Sequence, residues 1–474
     1  MRVEGRDSVA DALDFTMACM HCAAAPCIEV CPTLATYKRA DGIVEVDYSV
    51  CIGCGYCVVA CPYHARVVSG FDADWAIRKE REDARALRSA ADREGVCTKC
   101  DFCRPIIEEG IAKGLTPGVD REATPLCVRA CIADALHFGD LKEPGSPISQ
   151  KLAGSRGFRL NERLGTDPSV YYFLARPLPD SVVKPGVEII PPLRQMVWKW
   201  PALLNFFFGG LGAGLYLFAT LSGAFFSIDI MTGSIAALLV LVGFLGLGWK
   251  SKHPGRSLFA LRNLRNSWMS REILAGSSFI GLAVLDVMFE HTMLRAGAFG
   301  AAGLFLWSQG MMVVRAKAIP AWNGFWVPGV FVASGLAGGG AIALLLGEWG
   351  LAAPSATHAG ALLGIVLFSA VFWGMYLRSL RESGPAAKES LKIFRAAPNA
   401  VVVLVVGHLL PLTLLATWLL VPAGDEAAAL GVLAALLIIV GTAVQKALIF
   451  LRSGILHSVD LEVTNGSGLE TRGW

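Results

Sequence analysis

Of the 474 residues, 54% are hydrophobic and only 17% charged, and a mean hydropathy of +0.52 excludes an ordinary soluble enzyme in favour of a membrane protein with a soluble portion. The formal net charge of +3 is too small to indicate a nucleic-acid partner.

All thirteen cysteines fall between Cys19 and Cys131, so they mark one chemical unit and a domain boundary behind it. Secreted disulfide scaffolds are short chains, whereas closely spaced Cys-x-x-Cys runs in a long chain favour metal. The opening stretch MRVEGRDSVADALDFT has no apolar core segment and carries several acidic residues, unlike a signal peptide. The cysteine domain is therefore expected in the cytoplasm. We expect it over residues 1–140, with a solvated surface helix in the charged stretch Asp74 to Arg93.

Two cysteine runs carry the most specific signal. The first is Cys19-x2-Cys22-x4-Cys27-x3-Cys31-Pro32 and the second Cys51-x2-Cys54-x2-Cys57-x3-Cys61-Pro62. The second matches the bacterial ferredoxin spacing position for position. In that pattern three nearby thiolates cap one face of a cubane, and the fourth cysteine ligates the neighbouring cluster. This assigns Cys19, Cys22, Cys27 and Cys61 to one [4Fe-4S] centre and Cys51, Cys54, Cys57 and Cys31 to the other. The alternative is structural zinc, which also uses Cys-x-x-Cys pairs. A third, less regular group holds Cys97, Cys100, Cys103, Cys127 and Cys131, with Ile132 where the other runs have proline. It has enough thiols for a third cluster with one left over.

Residues 141–195 are rich in Pro, Gly and polar residues, as in KEPGSPIS and RPLPDSVVKPGVEIIPPLR, and read as a connecting strap. Beyond Met196 the pattern changes to apolar runs long enough to cross ~30 Å of hydrocarbon at 1.5 Å per residue. Spans are expected near 197–226, 233–249, 272–289, 296–314, 325–347, 356–377, 399–421 and 427–450, with the bundle over 196–455 and a cytoplasmic tail at 456–474. Loops after spans two, four and six carry Lys250, Lys252, Arg256, Arg262, Arg265, Arg271, Arg315, Lys317, Arg378, Arg381, Lys388, Lys392 and Arg395, whereas the opposite side carries Arg295. That asymmetry puts the cysteine domain and both termini in the cytoplasm, below an inner membrane. The glycines Gly209, Gly210, Gly212 and Gly214 suit close helix packing in the first span.

The cysteine half resembles the four-cluster electron-transfer subunits of the dimethyl sulfoxide reductase family. Its three groups are similar to the family's second, third and fourth, with Cys100, Cys103, Cys127 and Cys131 as the fourth. No counterpart of the first group stands in this sequence, so either Cys97 replaces the lost ligand or the gene begins upstream. In the membrane half, TrpLysTrpPro at 198–201, LysHisProGlyArg at 252–256, SerTrpMetSerArgGluIleLeu at 267–274 and AlaIleProAlaTrp at 318–322 resemble the membrane anchors of dimethyl sulfoxide and polysulfide reductases. The fold expectation is thus an α+β ferredoxin-like domain fused to an all-α bundle of eight transmembrane helices.

The resemblance implies a respiratory relay between membrane quinone or menaquinone and a catalytic partner subunit that carries a molybdopterin-type cofactor. It also implies that His253 and Glu272 exchange protons with quinone, with Asn205, Arg256 and Arg271 as neighbours. Glu272 paired with Arg271, or set at a helix N-terminus, is the structural alternative. Asp286, Glu290, His291, His358 and His408 are further candidates for carrying protons. Two competing functions are a redox-driven proton pump and an anchor without a quinone site of its own.

Overall fold

In the computed structural model the described residues are 2–3, 13–14, 16–68, 93–154, 157–173, 187–222, 228–251, 253–348, 356–422 and 424–461. The expected surface helix from Asp74 falls in 69–92, outside the described residues.

The cysteine domain has few strands, and short chain reversals set its shape. The first ribbon pairs Thr36–Lys38 with Val44–Val46 in antiparallel register. Its turn is closed by the Arg39 amide on Ile43 O and the Gly42 amide on Arg39 O, with Gly42 at φ +89°, a conformation glycine adopts without a Cβ penalty. A second ribbon joins Val67–Val68 to Cys97–Thr98. Each cysteine run winds into one short helix, Pro26–Glu29 in the first and Tyr56–Ala60 in the second.

Eight helices among the described residues are long and apolar enough to cross a membrane: Trp200–Ser222, Ile230–Gly248, Trp268–Phe289, Thr292–Val314, Val327–Gly347, Thr357–Ser379, Ala397–Trp418 and Asp425–Arg452. Each overlaps an expected span, and most ends move by a few residues. The third begins at Trp268, earlier than the expected 272, because Arg271 and Glu272 lie inside it rather than ahead of it. The first and fifth helices form the centre, since most of their spans are buried. A Cβ at Gly214 would collide with the carbonyl of Gly335, and one at Gly339 with the amide of Leu215. Small residues therefore let these two backbones touch.

Two sequence readings are corrected here. Arg295 is not a loop residue: it lies in the fourth helix, 2% exposed, and its Nε and Nη2 each donate to Asp286 at 3.1 Å. The strap is also more than a connection. It contains a helix, Pro147–Gly154, and a strand, Val187–Ile190, that pairs antiparallel with Val459–Leu461 of the expected tail. Between them the Ala23 and Ala24 amides donate to Asp167 O and Thr166 O, and Tyr63 Oη and Thr166 Oγ1 lie 2.5 Å apart. Residues 158–172 thereby close over the first cysteine run.

Candidate functional site

The two cysteine runs interlock in space. Cys31, Cys51, Cys54 and Cys57 line one cavity together with Cys97, Gly53 and Gly55. The loop that brings three of these sulfurs together turns at Gly53 (φ +68°) and Gly55 (φ +72°), where a Cβ would strike Gly95 O and Val197 Cγ1. The other four form a second neighbourhood: the charge of Cys27 and Cys19 acts on Cys22, and that of Cys19 acts on Cys61. Cys31 of the first run thus lies with the second run's cysteines, and Cys61 of the second lies near Cys19 and Cys27 of the first. Burial pushes the Cys22 and Cys27 thiols up to about 12 and those of Cys51 and Cys61 to about 11. Bare thiolates are unstable in such a setting, whereas a cationic iron core supplies the compensating charge. Two buried all-sulfur quartets fit two cubane clusters, each of which supplies one-electron redox chemistry when bound.

The third group is built differently. Cys127 is exposed, and Cys100, Cys103 and Cys131 are partly exposed. Helix Arg104–Ala112 follows Cys103 and packs through Gly110 onto Ala123, which returns the backbone towards Cys127. The group is tied to the inner domain by Arg104–Glu45 at 2.8 Å, Arg39–Glu108 at 2.6 Å and stacking of Phe102 on His21 at 3.8 Å. Cys97 lies elsewhere: it is 1% exposed, lines the Cys31 cavity and hydrogen-bonds Cys57. The structure therefore brings Cys97 to an inner quartet rather than to the outer group.

The inner cavity sits against the bundle. Trp198 Nε1 donates to Cys54 O at 3.2 Å, Asn263 Nδ2 to Cys31 O at 2.9 Å, and Arg256 Nη1 to Tyr48 O at 2.7 Å and Cys51 O at 3.0 Å. Tyr56 Oη donates to Met312 O at 2.7 Å, and the Ala318 amide to Val59 O. The cation-rich loops after the second and fourth helices are hence on the cysteine-domain face. Behind Cys54, Trp198 contacts Tyr56, Phe206 and Trp322 at ring distances of 5.1, 6.1 and 5.9 Å.

One residue before Phe206 the bundle becomes polar. Asn205 begins a π-helical segment, Asn205–Gly209, a distortion frequent at functional sites. Its Nδ2 donates to Glu272 Oε1 at 2.7 Å, and Gln309 Nε2 donates to Asn205 O at 3.2 Å and reaches Glu272 Oε1 at 3.5 Å. Lys446 Nζ donates to Phe206 O at 2.6 Å. Asn205, Glu272 and Gln309 are fully buried, and Lys446 is 1% exposed. Asn205 Oδ1, Glu272 Oε2, Gln309 Oε1, Ser308 Oγ and Gln445 Nε2 are buried without a partner. Each such atom costs about 1–3 kcal/mol when unsatisfied, so the unpaired Asn205 Oδ1, Glu272 Oε2 and Gln309 Oε1 are suited to water or a polar ligand group.

The expected site residues thus divide. Asn205 and Glu272 come together, and Gln309 and Lys446 join them. The sequence reading missed both, although an isolated lysine and a glutamine inside otherwise apolar spans were the available signal. No hydrogen bond joins His253 to Glu272; His253 Nε2 faces Glu94 O at 3.0 Å. Arg256 binds the cysteine domain, as above. Arg271 donates to Leu264 O and Arg265 O and lies over Trp268, so it does not pair with Glu272. Asp286 is neutralised by Arg295 and accepts from Tyr216 at 2.9 Å. Glu290 and His291 are exposed at the far end, His358 lies beside Phe218, and buried His408 bonds Val403 O and Ser369.

Comparison with known proteins bears on the first third of the chain. A 4Fe-4S dicluster domain matches residues 11–73. The Hdr-like menaquinol oxidoreductase iron–sulfur subunit 1 of Archaeoglobus fulgidus is 42% identical over 157 residues, 32% of this chain and 54% of that protein. The iron–sulfur cluster-binding subunit of menaquinone reductase from Nitratidesulfovibrio vulgaris is 39% identical over 166 residues (33% and 64%), and the polysulfide reductase B subunit of Wolinella succinogenes 37% over 153 (32% and 63%). The chain spans less than two thirds of the length of these curated relatives. The protein accordingly joins a 4Fe-4S dicluster domain, similar to the iron–sulfur electron-transfer subunits of menaquinol and polysulfide reductases, to a set of apolar helices, eight among the described residues, that fit a membrane anchor.

Proposed function

We propose that the chain relays electrons between membrane quinone and a catalytic partner subunit with a molybdopterin-type cofactor, through [4Fe-4S] clusters held by Cys19, Cys22, Cys27 and Cys61 and by Cys31, Cys51, Cys54 and Cys57. The observation that carries this reading is adjacency. The Cys31 cavity is hydrogen-bonded to the bundle through Cys54, Cys31 and Cys51, and one aromatic layer separates it from the buried Asn205–Glu272–Gln309–Lys446 set.

Quinol oxidation releases two protons with its two electrons. Glu272, held by Asn205 and Gln309 but with Oε2 unpaired, is the acceptor at that end of the bundle, and Lys446 is tied to the same π-helical segment through Phe206 O. The partner docks on the face of Cys100, Cys103, Cys127 and Cys131, where Leu126 and Ile132 are exposed beside the sulfurs. The cation-rich loops on this side favour a cytoplasmic orientation at an inner membrane. A reporter fused after Trp474 is expected to be active in the cytoplasm, and periplasmic activity alone would reverse that orientation.

The decisive experiment follows cluster reduction by a quinol analogue in the complex. A general base contributes ~10²- to 10⁴-fold, so Glu272→Gln should slow the step at least tenfold with iron content unchanged. His253→Ala should slow it less, because His253 faces Glu94 rather than Glu272. Reduction within twofold of wild type in Glu272→Gln rejects Glu272 as acceptor, and no reduction by quinol in the wild type leaves an anchor without a quinone site.

A further inference from the structure

Between the two quartets lies a charge that the relay reading does not use. Arg66 follows the second Cys-Pro pair and is only 3% exposed. Its Nη1 donates to Thr36 Oγ1 at 3.2 Å and to Cys97 Sγ at 3.6 Å, while Nη2 is buried without a partner. The sulfurs of Cys27, Cys57, Cys97 and Cys19 lie close enough to act on its charge, and it acts in turn on Cys61. Cys19, Cys27 and Cys61 belong to one quartet and Cys57 to the other. Burying a guanidinium without a counter-ion is strongly unfavourable, so the arrangement makes sense only if the space it faces holds negative charge.

We propose that Arg66 is the shared counter-charge of the two inner clusters and raises the reduction potential of both. A cubane held by four thiolates is anionic, and reduction adds one further negative charge. A fixed cation in a low-dielectric interior stabilises the reduced form more than the oxidised form, and burial and hydrogen bonding to sulfur are the protein's levers on such potentials. Arg66 touches no substrate, so it is a positioning residue that sets the energy of the relay. Cys97 belongs to the same device: its sulfur accepts from Arg66 and lines the inner cavity together with Cys57, tying the guanidinium to that cavity's wall.

This inference rests on the reading that the eight thiols hold two clusters, and fewer than eight iron atoms per fully loaded wild-type chain would sink that reading separately. With iron intact, potentiometric titration of the purified complex, followed by paramagnetic resonance, tests the charge itself. Arg66→Met should lower the reduced-to-oxidised ratio of both inner clusters at least tenfold at a fixed poise, about 59 mV for a one-electron couple. Arg66→Lys, which keeps the charge, should change it less than threefold. Ratios within twofold of wild type in Arg66→Met, a shift in one cluster only, or equal shifts in the Met and Lys variants overturn the proposal. Should Arg66→Met lose iron, full iron in Arg66→Lys is the expected companion result, and iron loss in both variants rejects a role based on charge.

Discussion

The inner quartets and the outer cysteine group use the same residue type in opposite settings. Seven of the eight inner cysteines are buried, and they are enclosed by the strap segment 158–172 on one side and by the bundle on the other. The outer four are exposed or partly exposed and attach through the exposed Arg39–Glu108 pair, of a kind that contributes only ~0–1 kcal/mol, and through Arg104 on the buried Glu45. Spacing in the sequence therefore does not make a site equivalent; enclosure does. A quartet walled in by its own chain is complete in itself, whereas an open one presents its sulfurs to whatever docks beside it.

The largest effect that sharpens this contrast is on iron. Cys57→Ser should remove or convert an inner cluster, with loss of up to half of the iron in a two-cluster chain and weaker docking of the domain, because Tyr56 next to it anchors to Met312. Cys127→Ser should leave at least eight iron atoms and both inner spectra unchanged. Equal iron loss in the two variants, measured on the purified chain, would erase the distinction between enclosed and open groups.

A smaller effect is expected at Cys97. The sequence reading made it a substitute ligand for the outer group, and its position against Cys57 now moves the expectation inward. Cys97→Ser should keep the iron count while shifting the paramagnetic spectrum of the Cys31–Cys51–Cys54–Cys57 cluster. If an outer cluster disappears instead and the inner spectra stay the same, Cys97 does serve the outer group in the assembled complex.

Much of the molecule was legible from residue patterns, for identifiable reasons. The eight spans follow from length and hydropathy, which depend only on local composition. A dicluster domain was legible in the two Cys-Pro runs, because the ferredoxin spacing packs three thiols within one short turn. Asn205 and Glu272 were named in advance as neighbours and are hydrogen-bonded, but their partners were not named. Gln309 and Lys446 lie on the fourth and eighth helices, and nothing local says that these meet the first and third.

The amino-acid sequence by itself determined the division into a cysteine domain and a bundle, the number of spans, and which face of the bundle carries the cationic loops. Tertiary structure alone decided the rest. Arg295 became a buried partner of Asp286 rather than a loop cation. His253 turned to Glu94 and not to Glu272, and Cys97 and Arg66 converged on the inner quartets. The physical reason is range. Hydropathy and turn chemistry act over a few residues, whereas the pairing of buried charges and orphan polar atoms is settled by helices and loops that are distant in sequence and pack only once the whole chain has folded.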